Sequence, residues 1–439
     1  MTGLRARFAG AIRWNVAASV VAQASAFVLN IVFAKLMGRD TFGQFAIIQG
    51  TLTLVALLTQ VGASAATRFV AEHRSVDSRR AGRVLALLRT ATFAASALAS
   101  LLLLAGASVV ASSVLKAPQL TPALAIVAAT LVASNMHSYN LGVLAGLESF
   151  RAVAWLSAVA GASYLVAGAV GAKLGGLNGA LVGQLVSNLV LWALSTVAVR
   201  RACRAQGVIV TSDEMWSERS VLSGFVLPGM VSMLISAPAL WFASAYLVRL
   251  PGGYGQMAFY SVANSMRLGI MLVPTLLYSV GLSLMSNQVG LGDERRYQRV
   301  YWVNLMLSVG ITLAAALAVV VIAPLLLRMY GKEFHATYSV ILVLVMSTLF
   351  ESAAMAMAQV LWAHAKVWQS VWLIWIPRYA SIVAFTVLLA PRHGAIGVAI
   401  AYTIGQVVYL ASTAILVLRT GLAIPERGVY RAPEQLASV

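Results

Sequence analysis

Apolar residues in this chain run in unbroken stretches of about 20 or more. That is too continuous for the one-sided stripe of a soluble helix, and long enough to cross a ~30 Å hydrocarbon core at ~1.5 Å per residue. Charged residues fall almost wholly in the short intervals between these stretches. The pattern predicts twelve spans, near residues 14–37, 42–66, 86–112, 122–146, 152–173, 177–199, 221–247, 254–284, 301–327, 338–363, 368–390 and 394–418. The fold class expected is an all-α polytopic membrane protein without a soluble domain. Met1–Asn15 is a short basic stretch leading into a long span, with no small-residue cleavage site behind it, and it reads as no removable signal.

The pattern repeats. Residues 35–46 read Lys-Leu-Met-Gly-Arg-Asp-Thr-Phe-Gly-Gln-Phe-Ala, and residues 249–258 read Arg-Leu-Pro-Gly-Gly-Tyr-Gly-Gln-Met-Ala. Lys35 then aligns with Arg249, Gly38 with Gly252, Phe42 with Tyr254, Gly43 with Gly255 and Gln44 with Gln256. Gly176-Leu177-Asn178-Gly179-Ala180 is echoed by Gly394-Ala395-Ile396-Gly397-Val398. The two offsets are nearly equal, about 212 and 218 residues, so one half-chain is duplicated. Six spans per half is an even number, so both halves enter from the same side and the repeats are parallel, as in transporters that bind between repeats. The expected division is 1–205, a linker 206–220, 221–420 and a tail 421–439. The glycines of the repeated turn are expected to supply positive φ or close backbone approach, not to bind substrate.

Charge gives the orientation. With the N-terminus inside, 21 of the 31 Lys and Arg residues fall on the inner side and 8 outside, while Arg267 and Arg378 fall within spans. Both termini are expected in the cytoplasm. The net charge of +18 is explained by this bias, so nucleic acid is not expected as a partner. The chain is 60% hydrophobic and 10% charged, with mean hydropathy +0.86, against about 25% charged in soluble domains. Cys203 is the single cysteine, which excludes an internal disulfide, and it reads as an inert thiol.

The turn Gly38-x-x-x-Phe42-Gly43, followed by a helix ending in Gly62-Ala63-Ser64 and Arg68, resembles that of the polysaccharide-export flippases. These are the Wzx-type O-antigen or exopolysaccharide transporters of the multidrug/oligosaccharidyl-lipid/polysaccharide exporter superfamily. The resemblance extends over essentially the whole chain. It implies two six-helix lobes in a V-shaped exporter of a bacterial inner membrane. The implied activity is alternating-access transfer of an undecaprenyl-diphosphate-linked oligosaccharide to the periplasmic leaflet. Besides this lipid-linked oligosaccharide and membrane lipids, a polysaccharide polymerase and a chain-length regulator are the implied partners.

Against that background Arg267 stands out. Tyr260, Asn264 and Arg267 lie at i, i+4 and i+7 of span 8, on one helical stripe. A mid-bilayer Arg costs at least about 2.5–3.5 kcal/mol, so it faces a cavity or a partner. One reading makes it a diphosphate ligand, through its planar fork of donors; the other, a structural ion pair with Glu351. Arg378, after Pro377 in span 11, has the same diphosphate reading, or it snorkels towards an interface. Trp368, Trp372 and Trp375 share a stripe and, with Trp362, read as an interfacial aromatic belt or as sugar-stacking platforms. Glu351 is the one acidic residue well inside a span, a counter-ion for these arginines or a coupling carboxylate for H⁺ or Na⁺. No other cofactor is expected.

Asn135, His137 and Asn140 of span 4, Gln23, Phe27 and Asn30 of span 1, Gln184 and Asn188 of span 6, and Tyr402, Gln406 and Tyr409 of span 12 supply neutral polar groups. Such groups suit sugar hydroxyls and serve equally as interhelical glue. Arg13 and Arg68 read as interfacial anchors or as contacts for an incoming diphosphate. Pro228-Gly229, Pro238 and Pro274 are candidate bending points. No phosphate-cradling glycine loop, metal-ligand spacing or Ser-His-Asp set is evident, so an enzyme is not expected; a glycan polymerase or ligase would need a large outer loop. The remaining rival is a cation-coupled multidrug exporter of the same superfamily. Its cavity should be acidic, whereas the intramembrane balance here is two Arg to one Glu.

Overall fold

The computed structural model describes residues 23–59, 61–73, 77–222, 227–291, 294–363 and 367–420. The chain is all-α: no strand occurs among the described residues. In order come α1 (Gln23–Met37), α2 (Arg39–Thr59), α3 (Val61–His73), α4 (Ser78–Val109), α5 (Thr121–Gly146) and α6 (Phe150–Ala205). Then follow α7 (Leu227–Val248), α8 (Gly253–Leu291), α9 (Glu294–Tyr330), α10 (Thr337–Ala363), the short α11 (Val367–Ser370) and α12 (Ile376–Arg419). Among the described residues six helices are long and apolar enough to cross a membrane, or seven if the bent pair α2–α3 counts as one span, and α6 and α12 each cover two of the twelve expected spans. Arg13, the termini and the Trp368 side chain lie outside the described residues.

α6 and α12 each hold two expected spans. A straight helix of 56 residues would run about 84 Å, more than twice the hydrocarbon core, so α6 has to fold back. It does so at Gly175 and Gly176, where Gly176 adopts φ 56°, ψ −132°. α12 folds at Gly394 with nearly the same angles, φ 56°, ψ −130°. Only glycine reaches that region without strain. The second sequence echo is therefore a repeated backbone device. Past the fold, small residues let the two arms of α6 touch: a Cβ on Gly171 would lie 2.1 Å from the Gly179 carbonyl oxygen, and one on Gly183 2.1 Å from that of Ala167. Tyr164 Oη donates to Asn188 Oδ1 at 2.9 Å across the same seam.

The first echo divides its labour between two kinds of glycine. Gly38 and Gly252 take positive φ, 75° and 65°, and turn the chain between helices. Gly43 and Gly255 are needed for proximity: a Cβ on Gly43 would fall 1.8 Å from the Tyr254 carbonyl oxygen, and one on Gly255 2.7 Å from Arg39 Nε. The two copies of the turn thus pack on each other.

α4 starts from Asp77, whose carboxylate accepts the Arg80 amide at 2.9 Å. That amide holds the Asp77 carboxyl below its ordinary range. Along α4 and α9 the outward residues are apolar, with Leu102 65% and Val321 78% exposed, the face a helix presents to lipid. Pro228-Gly229 opens the described part of α7, while Pro238 and Pro274 sit inside α7 and α8, which remain helical through them.

The chain groups into two compact units. One takes in the chain up to Val262 with Leu325–Thr337 and Ala390–Ala395. The other comprises Ala263–Pro324, Tyr338–Leu389 and the chain from Ile396. Within the first, Ala66, Val70, Leu85, Leu88, Tyr139 and Val143 belong to a buried core. In the second, the core includes Met285, Tyr301, Ala354, Leu361, Tyr409 and Val417.

Candidate functional site

In the second unit, α8, α10 and α12 bring three charges together. Glu351 stands near the middle of α10, about 21 Å of helix from Thr337, beyond reach of either helix end. Its Oε2 accepts from Arg267 of α8 at 2.7 Å, and its Oε1 from Arg378 of α12 at 3.3 Å. Tyr402 Oη lies 3.2 Å from Oε1 and 3.1 Å from Oε2, donating to the same carboxylate. The side chains of Arg267, Arg378 and Glu351 are 10%, 11% and 14% exposed. Two cations share one anion in the interior, so the formal charge of the cluster is +1.

Both guanidinium groups are held over aromatic faces. Arg267 lies 4.8 Å from the centre of the Tyr402 ring, and Arg378 4.3 Å from that of Tyr409. A ring face attracts a cation by its quadrupole, by about 0.5–2 kcal/mol depending on desolvation. Arg267 Nε also donates to Asn264 Oδ1 at 2.9 Å, one turn back on α8, which fixes the plane of the fork. The stripe Tyr402, Gln406, Tyr409 therefore forms a wall of the cluster. Gln406 is fully buried, and among the described residues neither of its amide atoms has a hydrogen-bond partner, nor does Arg378 Nε. Each retains hydrogen-bonding capacity beyond what the cluster uses.

The counter-ion reading of Glu351 extends to both arginines at once. Arg378 does not snorkel: it is buried, about 24 Å of helix from the fold at Gly394. Trp372 faces outward at 65% exposure, whereas Trp375 packs against the core of the unit and lies 6.0 Å from the Trp362 ring.

The other candidates fall elsewhere. Tyr260 is buried one turn before Asn264 on α8, and it belongs to the first unit. So do Gln23 and Asn30, half-buried on α1, and Asn135 and His137, buried on α5. Asn135 Nδ2 donates to Ser96 Oγ at 3.0 Å, joining α5 to α4, and Asn140 Nδ2 donates to Ser195 and Thr196 of α6 at 3.0 Å each. These are interhelical hydrogen bonds, and Gln184 is likewise engaged with Gln49 of α2. Tyr402 and Tyr409 serve as ring faces for the arginines, a role that their common stripe with Gln406 does not by itself reveal.

The model of the family described as polysaccharide biosynthesis protein matches residues 10–285. Among solved structures, one inward-facing multidrug resistance MATE family transporter of the MOP superfamily is similar, with a TM-score of 0.76. It is 14% identical, and the match covers 92% of this chain and 98% of that one. The lipid II flippase MurJ in an inward closed conformation gives a TM-score of 0.67 at 13% identity, covering 94% of this chain and 90% of its own. A MOP superfamily transporter from Pyrococcus furiosus, described by the reverse polarity of its binding pocket, gives 0.63 at 15% identity, covering 94% and 96%. At these identities the likeness is one of fold. No curated protein is a significant match to the sequence.

Proposed function

The chain belongs to the polysaccharide biosynthesis protein family, and from that premise we propose that it flips an undecaprenyl-diphosphate-linked oligosaccharide across the inner membrane by alternating access. It is a multi-pass membrane protein with a fold shared by flippases and exporters. The observation that carries the finer reading is the Arg267–Glu351–Arg378 cluster, a buried +1 charge with a carboxylate that can be exchanged for a stronger anion.

In this reading the cluster works as a preformed diphosphate clamp. Glu351 holds both guanidinium groups in place while no substrate is bound, which lowers the cost of their burial. An arriving diphosphate offers more negative charge and more acceptor oxygens than one carboxylate, and it matches the planar forks bidentately. The arginines then turn from Glu351 to the phosphates without leaving the Tyr402 and Tyr409 faces. A proton or Na⁺ at Glu351 acts in the same direction as substrate, because it raises the net charge from +1 to +2. Cation binding and diphosphate binding therefore assist each other at this cluster. Contacts of Tyr260, Asn135, His137, Gln23 and Asn30 with sugars are a separate part of the proposal, confined to the first unit.

Purified protein in proteoliposomes, with a lipid-linked oligosaccharide whose accessibility is read by an impermeant probe, tests the assignment. Arg267→Ala is expected to reconstitute normally and fail to flip, with Arg267→Lys partly active. Normal flipping by Arg267→Ala would remove the clamp. Efflux of cationic drugs with no effect on the glycolipid would instead favour the multidrug exporter.

A further inference from the structure

A separate cavity of about 710 Å³ lies within the first unit, between the start of α4, the end of α6 and the linker after it. Its size is within the range of small-ligand sites, roughly 300–1,000 Å³. The charge count puts this end of the helices on the cytoplasmic side. Arg89, Arg200 and Arg204 line it, and no acidic residue does. Arg200 and Arg204 are one turn apart on the same face of α6, while Arg201 between them is not part of the lining. Leu85, Met136 and Val208 supply an apolar wall.

The linker is folded over this space by identifiable contacts. Gly207 takes φ 68°, so Val208 N returns to the Cys203 carbonyl at 2.9 Å. Gly82 lets the strap approach: a Cβ there would lie 1.9 Å from the Ile209 carbonyl oxygen. The nearby acid, Glu218, is spent on Arg80 at 3.1 Å and Arg83 at 3.3 Å. Neutral polar groups of the lining are satisfied internally, Tyr139 Oη by the Leu85 carbonyl at 2.7 Å and Asn140 by Ser195 and Thr196. Arg89, Arg200 and Arg204 remain along the cavity, exposed to solvent, and none of them is paired with an acid among the described residues.

We propose that this cavity binds a phosphate-bearing anion, supplied either by the headgroup of an acidic phospholipid or by a soluble phosphate compound. Three arginines lining one cavity that no acidic residue lines can match phosphate oxygens with their guanidinium forks, and the apolar wall beside them suits an amphiphile. The site is distinct from the Arg267 cluster and holds whether or not that cluster carries a substrate.

The test measures binding of short-chain phosphatidylglycerol, short-chain phosphatidylcholine and inorganic pyrophosphate to the purified full chain in detergent. Phosphatidylglycerol or pyrophosphate is expected to bind, more weakly as salt is raised. Arg89→Gln, Arg200→Gln and Arg204→Gln should each weaken binding about fivefold, the order expected per basic residue near an anionic headgroup. Arg201→Gln should not weaken it, and the same measurements on Arg267→Ala protein separate pyrophosphate held by the Arg267 cluster from pyrophosphate held here. Pyrophosphate binding as tightly as phosphatidylglycerol assigns a soluble ligand, and phosphatidylglycerol alone assigns a lipid. Failure of both to bind would overturn the proposal. So would equal binding of phosphatidylcholine, salt-independent binding, or affinity unchanged in all three cavity variants. The salt dependence is read on the unaltered protein, so the result does not hang on a variant that misfolds.

Discussion

Removing the Glu351 carboxylate should cost more than removing either arginine. Two guanidinium groups share that carboxylate, at 2.7 and 3.3 Å, and all three side chains are at most 14% exposed. Arg378→Gln leaves the shorter Arg267–Glu351 pair intact and the cluster neutral, so its loss is that of one long charged hydrogen bond and the Tyr409 ring contact, about 1.5–3 kcal/mol. Arg267→Gln removes the 2.7 Å bond and the Asn264 contact, but Glu351 keeps Arg378 and Tyr402; about 1.5–3 kcal/mol is expected. Glu351→Gln leaves two like charges buried with no anion and falls in the range of about 3–5 kcal/mol found when one member of a buried pair is removed. The ratio of two cations to one anion has a further consequence. Combining Glu351→Gln with one arginine change still leaves a buried unpaired charge, so that double variant recovers only part of the loss. The triple variant, Arg267→Gln with Glu351→Gln and Arg378→Gln, should be more stable than Glu351→Gln alone. Thermal midpoints in detergent across the full mutant cycle measure this. If Glu351→Gln proves no less stable than Arg378→Gln, the carboxylate is solvated and the reasoning fails.

Gly394→Ala should lower the thermal midpoint clearly, because it forces positive φ on a residue with a Cβ and drives that Cβ to 2.6 Å from Gln256 Oε1; Gly106→Ala, with open space around it, is the control that should change little. Glu218→Gln should release the strap over α4, read as faster proteolysis between Gly207 and Leu222; unchanged cleavage would show that the pairs with Arg80 and Arg83 do not hold it. The Asp77 carboxyl has a lowered folded pKa because it accepts the Arg80 amide. Its cap is therefore fully present above the ordinary aspartate range and is lost as pH falls through the lowered value. The stability gap between the protein and Asp77→Ala should accordingly close under acid, and a gap that persists at low pH would mean another group caps α4.

The membrane spans were legible in the sequence because hydropathy is a local property: a run of about 20 apolar residues has few alternatives to crossing as a helix. The duplicated turns were legible for a similar reason. Backbone conformations that only glycine tolerates leave a mark at a single position, and Gly38 with Gly252, and Gly176 with Gly394, show matching positive φ. Buried charge was legible as well, since Arg267, Glu351 and Arg378 had to find partners wherever they lay. Which partners they found was another matter. Glu351 is 84 residues from Arg267 and 27 from Arg378, and helical periodicity reports which face a residue occupies, not which helix that face meets. The sharing of one carboxylate by both arginines, the tyrosine rings beneath them, and the placing of Asn135 against Ser96 were all decided by packing. So was the arginine cavity. Arg89, Arg200 and Arg204 look in sequence like any inner-side positive charges, and only the fold-back at Gly207 and the missing Cβ of Gly82 bring the strap to the same cavity. Local chemistry set the helices, the folds between them and the residues that could not be left alone; the contacts between distant helices determined what each of those residues does.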